Sequence, residues 1–107
     1  MSKLIVVNRR LGIPEGFSYL RIMRGSRLGN PFRIGTDGSR TDVIRKYRSW
    51  LWAQICQETP AYDMLCEILA MLRSGHDVAL VCCCKPLPCH GDIIANAVKW
   101  MAAKGGS

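Results

Sequence analysis

The sequence predicts an α/β fold, a small Rossmann-like three-layer domain with a short, mainly parallel sheet spanning residues 1–107. Three observations predict it. Leu4-Ile5-Val6-Val7 and Val78-Ala79-Leu80-Val81-Cys82 are short, apolar, β-branched runs of the kind that fill parallel strands. Two amphipathic stretches separate them, and a crossover that long between neighbouring strands makes them parallel and right-handed. The chain has 107 residues, 49% hydrophobic and 21% charged, which fits a single globular domain.

Taken in order, residues 4–7 are expected to form a buried, central strand. Asn8-Arg9-Arg10 follows at its carboxyl end, and Gly12, Pro14 and Gly16 make residues 11–18 a loop. Residues 19–23 alternate Leu20 and Ile22 with Arg21 and Met23, the pattern of a second strand. Residues 24–32 and 35–39 are rich in turn formers. Thr41 is expected to cap a helix running to about Gln57, with Ile44, Tyr47, Leu51 and Ile55 on its inner face and Val43 and Trp50 beside them. Trp50 and Trp52 should divide into one packed and one partly exposed ring. Pro60 occupies the first helical position of a second helix, whose stripe is Ala61, Leu65, Ile68, Leu69 and Leu72 and whose end is Gly75. His76 reads as a surface turn residue. Beyond Val78–Cys82, a tight loop leads to a helix from about Gly91 to Ala103 that presents Ile93, Ala97, Trp100 and Met101.

The charge is lopsided. Lys and Arg number 15 against 8 Asp and Glu, for a net +7. Nine arginines fall in the first 48 residues, at positions 9, 10, 21, 24, 27, 33, 40, 45 and 48. A planar guanidinium suits phosphate better than an ammonium does, so a nucleotide or another phosphate-bearing small molecule is the expected partner, with nucleic acid as the alternative. A basic, solvated surface is the plain reading. No apolar run approaches the roughly 20 residues of a membrane span, and the apolar stretch after Lys3 is too short for a secretion signal. A cytoplasmic protein with no membrane partner is expected. Its six cysteines then make no disulfide framework, and Cys56 and Cys66 read as small buried hydrophobes.

The sharpest feature is a strand, then Cys84-x4-Cys89-His90-Gly91-Asp92, then a helix. Pro86 and Pro88 stiffen the loop. Free backbone N–H groups at a helix entrance attract anions and lower a thiol's pKa. Gly91 would leave that backbone approachable, and Asp92 could address the same amides. Four readings stay open: a phosphate or nucleotide pocket; a nucleophilic Cys89 beside His90; a metal site from Cys82, Cys84, Cys89 and His90; or a plain helix cap. The paired knuckles of structural zinc sites are missing, and adjacent Cys89 and His90 point apart, so a zinc-stabilised interaction domain is only an alternative. No cofactor is expected. Gly29-Asn30-Pro31-Phe32 is the second candidate. Asn30 is held extended before proline and could read a base or ribose, while Phe32 could stack or could simply fill the core.

Together, Ile5-Val6-Val7-Asn8-Arg9, Leu28-Gly29-Asn30-Pro31-Phe32, the helix carrying Val43, Tyr47 and Trp50, and the run from Leu80 through Pro88-Cys89-His90-Gly91-Asp92 resemble domain of unknown function 4326. The resemblance covers nearly the whole chain in order. It implies a bacterial, archaeal or phage setting and brings no activity with it. The cysteine-histidine block also looks like an element of another uncharacterised α/β family suspected of nucleic-acid-related roles. The functional expectation is a binder of a nucleotide-derived anion, built from Asn8, Arg9, Asn30, Phe32, Cys89, His90, Gly91 and Asp92. In a phage it could sequester or cleave a nucleotide signal, and Asp92 would be the base for cleaving an N-glycosidic bond.

Overall fold

A computed structural model describes residues 2–83, 87 and 89–105. The order is β1 (Leu4–Asn8), β2 (Ser18–Arg21), α1 (Arg40–Gln57), α2 (Pro60–Arg73), β3 (Val78–Cys82) and α3 (His90–Gly105). All three strands are parallel, in the spatial order β1-β3-β2. β3 is therefore the central strand, and all five of its residues are buried. β1 was expected at the centre and fully buried; it is instead an edge strand and only half-buried. Both runs are equally apolar, so composition could not say which of them has two neighbours.

The register aligns Val6 with Leu80 and Leu80 with Leu20. Alternation along the strands then sends Leu4, Val6, Leu20, Val78, Leu80 and Cys82 to one face, and these join the core. The three helices pack against one another and form one layer on that face. Ile22, Leu28, Tyr47, Leu65, Ile68, Ile94 and Val98 fill the space between, each wholly buried. Full burial of one such aliphatic side chain contributes about 1.5–3 kcal/mol. On the opposite face of the sheet, Arg9, Arg10, Gly12 and Ile13 of the connection from β1 to β2 line a concavity together with Tyr19, Arg21 and Val81.

Details of the helices differ from expectation for local reasons. Ser39, not Thr41, caps α1: its hydroxyl accepts from the Asp42 N–H at 3.3 Å, and the Asp42 carboxylate accepts from the Ser39 N–H at 3.0 Å. Thr41 would have had Ile44 three residues on, which cannot reciprocate. The inner face of α1 is Val43, Tyr47 and Leu51, with Ile44, Trp50 and Ile55 at its margins. Trp50 packs on the core and stacks on Tyr47 at 5.3 Å, while Trp52 is 37% exposed. α2 follows the expected stripe with Met64 added, and Gly75 follows its last turn at φ 95°. α3 buries the expected Ile93 and Ala97, turns Ile94 and Val98 inward as well, and leaves Trp100 exposed, edge-on to Trp52 at 4.7 Å. Cys56 is exposed and Cys66 half-buried, because they sit at the rims of their helices rather than on the inner faces. No helix among the described residues is long and apolar enough to cross a membrane.

Candidate functional site

β1 ends at Asn8 opposite Cys82, and β2 ends at Arg21 opposite Val81. The three connections after the strands therefore leave from one edge of the sheet, where ligands of open parallel sheets bind. Two of them build a cleft.

The first wall is the segment between β2 and α1. The phenol of Tyr47, buried in α1, donates to the carbonyl of Leu28 at 2.6 Å and fastens the loop to the helical layer. Burial also raises the Tyr47 pKa, so the phenol keeps its proton. Gly29 is required by a close approach: a Cβ there would stand 2.7 Å from the Met23 carbonyl oxygen and 3.0 Å from Arg24 Cα. Asn30 Oδ1 accepts from the Phe32 N–H at 2.9 Å, an Asx turn that shapes the loop around Pro31. The Arg24 guanidinium donates to the carbonyls of Asn30 at 2.9 Å and Phe32 at 3.3 Å. Phe32 is half-buried and lies outside the hydrophobic core, with its side chain on the cleft.

The second wall is the entrance to α3, and it faces inward. His90 is 8% exposed; its Nε2 lies 2.5 Å from the Ile22 carbonyl, and its ring meets Tyr47 edge-on at 5.1 Å. A carbonyl only accepts, so Nε2 carries the proton of a neutral imidazole. Burial holds the His90 pKa below its ordinary value, and the nearby Arg24 charge acts the same way against the opposing effects of the Ile22 carbonyl and Asp92. Cys89 is buried, 3.7 Å from the Cys82 sulfur, and burial pushes its thiol up to about 12. The helix entrance was expected to lower that pKa; desolvation outweighs it, and Cys89 is a neutral thiol rather than an activated nucleophile.

Gly91 was expected to leave the backbone approachable. It is buried instead, and a Cβ there would stand 2.7 Å from Val6 Cγ1 and 3.0 Å from Ile22 Cδ1. Its role is to let α3 pack closely on β1. Asp92 turns its carboxylate back to the Cys89 N–H at 3.3 Å, capping the helix. Among the described residues no three His, Cys, Asp or Glu side chains cluster as metal ligands do. Cys84, Pro86 and Pro88 lie outside the described residues.

Between the walls is an open cleft of about 520 Å³. Arg24, Arg33 and Arg40 line it together with Asn30, Thr36 and Phe32, and Cys89 and His90 form part of its wall. Its described lining contains no carboxylate. Asn30, Phe32, Cys89 and His90 thus line one cleft. Asn8 and Arg9 do not join them. The Asn8 side-chain oxygen accepts from the Arg10 N–H at 2.9 Å, and Arg9 lines a separate concavity. The sequence reading missed Arg24, Arg33 and Arg40 as site residues; the signal was that two of them flank the Leu28–Phe32 block and the third opens α1.

A family model matches residues 7–100, a span that contains both walls, and its description is Domain of unknown function (DUF4326). The chain belongs to this family. In this DUF4326 domain, two of the segments that carry the resemblance build the two walls of the cleft. No curated protein and no solved structure matches the chain.

Proposed function

We propose that this protein binds a nucleotide-derived anionic small molecule in the cleft between the β2–α1 segment and the α3 entrance. The observation that carries the proposal is the lining: three arginines, an aromatic ring outside the core and no described carboxylate, at the carboxyl edge of a parallel sheet. Arg33 and Arg40 supply charge and forked donors for a phosphate. Phe32 offers a face for a base. The Asn30 oxygen is taken by the loop, so the amide NH₂ is the part that addresses the ligand. Arg24 holds the loop in shape and adds to the positive field.

Holding the ligand fits this lining better than cleaving it. Asp92, on which cleavage of an N-glycosidic bond would depend, caps α3, and the Cys89 thiol is protonated. Sequestration of a nucleotide signal in a reducing cytoplasm, in a phage or its host, is the use this reading favours.

Calorimetric titration with the four ribonucleoside 5′-monophosphates and with inorganic phosphate tests it. At least one nucleotide should bind more tightly than phosphate alone. Arg33→Ala should weaken that binding roughly tenfold to a hundredfold, from the about 1.5–3 kcal/mol of a hydrogen bond to a charged group, while the circular dichroism spectrum stays unchanged. Absence of binding to the unaltered protein, or binding indifferent to Arg33, refutes the proposal.

A further inference from the structure

A second concavity of about 460 Å³ opens on the other side of Met23, on the sheet face that carries no helix. Arg9, Arg10 and Arg21 line it, with Tyr19 and Ile13, and its described lining again contains no carboxylate. Tyr19 is 52% exposed. Its exposure follows from strand alternation: Leu20 faces the core, so Tyr19 and Arg21 face away from it. Met23 lines both concavities, so they adjoin at that residue. The two share a pattern: three arginines, one phenylalanine or tyrosine, and apolar neighbours.

We infer that the two clefts form one bipartite site for a single-stranded oligonucleotide, with consecutive nucleotides seated on either side of Met23. The inference rests on the nucleotide reading of the larger cleft and extends it. Two open basic grooves, each with one ring on which a base can stack, are the elements by which proteins hold single strands. A mononucleotide occupies one of them and leaves three arginines of the other unused. A phosphodiester-linked strand places a phosphate and a base in each, and the second contact becomes intramolecular once the first is made. The path runs around the carboxyl edge of the sheet, from the helical side at Arg33 and Phe32 to the open face at Arg21 and Tyr19.

The experiment compares the four mononucleotides with A, C and U homotetranucleotides, in ribo and deoxy form, and with a cyclic dinucleotide as a separate arm. It uses the unaltered protein, Arg33→Ala, Arg21→Ala and Tyr19→Ala, with folding checked by circular dichroism. A tetranucleotide should bind at least tenfold more tightly than its mononucleotide. Its affinity should also fall more steeply with salt, by about 0.7 in log–log slope for each additional phosphate neutralised. Arg21→Ala and Tyr19→Ala should each remove most of the tetranucleotide's advantage and leave mononucleotide affinity within twofold. Arg33→Ala should weaken both ligands. Equal affinity for mononucleotide and tetranucleotide, with Arg33 still required, overturns the bipartite site and leaves the nucleotide reading standing. A preference for the cyclic dinucleotide over every linear strand also overturns it. If no nucleotide of any length binds, both readings fall together.

Discussion

The two sequence blocks of this protein differ in the direction they face. Cys89-His90-Gly91-Asp92 is dense in reactive residue types, yet it is closed inward: a neutral thiol on Cys82, an imidazole on Ile22, a glycine against Val6 and a carboxylate on its own helix. Leu28-Gly29-Asn30-Pro31-Phe32 holds commoner residue types, read in the sequence equally as a site and as a turn, and only Leu28 of it is buried. Asn30 and Phe32 open onto the cleft beside Arg24 and Arg33. The difference teaches that unusual residues at fixed spacing can mark a tightly packed corner. The chemistry that meets solvent is then carried by neighbours whose types are common.

That comparison can be broken most directly at Gly91. Gly91→Val puts branched carbon where Val6 and Ile22 already stand, and overpacking of this kind costs about 1–3 kcal/mol. Urea denaturation should show the loss as a lower midpoint with an unchanged slope. An unaltered midpoint means that the α3 entrance is not a packed corner, and the contrast between the blocks collapses.

A smaller loss, about 1–2 kcal/mol, is expected for Tyr47→Phe, which strips the Leu28 carbonyl of a buried donor. This variant sharpens the comparison because it reads both blocks at once. Stability falls, and nucleotide affinity falls with it as the 28–32 loop loosens. Unchanged affinity in a destabilised variant would separate the loop's anchoring from the cleft's function.

The smallest effect is expected from pH. His90 is held below its ordinary pKa of 6.5 in the folded protein, so the unfolded chain binds the proton first as the pH drops. Its contribution to stability is complete above about pH 6.5 and is lost progressively below it, toward the folded pKa. Denaturation midpoints between pH 7.5 and 5.5 should fall, and His90→Gln should flatten the part of that slope due to His90. A profile equally steep in His90→Gln would show that His90 is not the group responsible.

Much of the architecture was legible because it depends on patterns that survive in one dimension. The apolar strand runs at β1 and β3, the Pro60 start of α2 and the carboxyl-edge location of the loops all follow from periodicity and caps. What could not be read was relative placement. Whether β1 or β3 has two neighbours is decided by how the 9–17 connection returns, and no residue in that connection records it. The same holds for Arg9. It follows a strand that ends at the correct edge, yet it sits on the face away from α3. Cys89 failed for a different reason. The rule that helix entrances acidify thiols assumes solvent access, and burial beside Cys82 reverses its sign.

The central position of β3 also orders events in time. Among the described residues β1 and β2 pair only with β3, and the register that joins Leu4 to Val78 closes a loop of more than seventy residues. During synthesis at about 5–20 residues per second, the basic first half of the chain leaves the ribosome several seconds before its pairing partner exists. Until then its two nascent edges can only wait. The arginines of the two clefts meanwhile give that waiting segment a net positive charge, and mutual repulsion keeps such segments apart from one another.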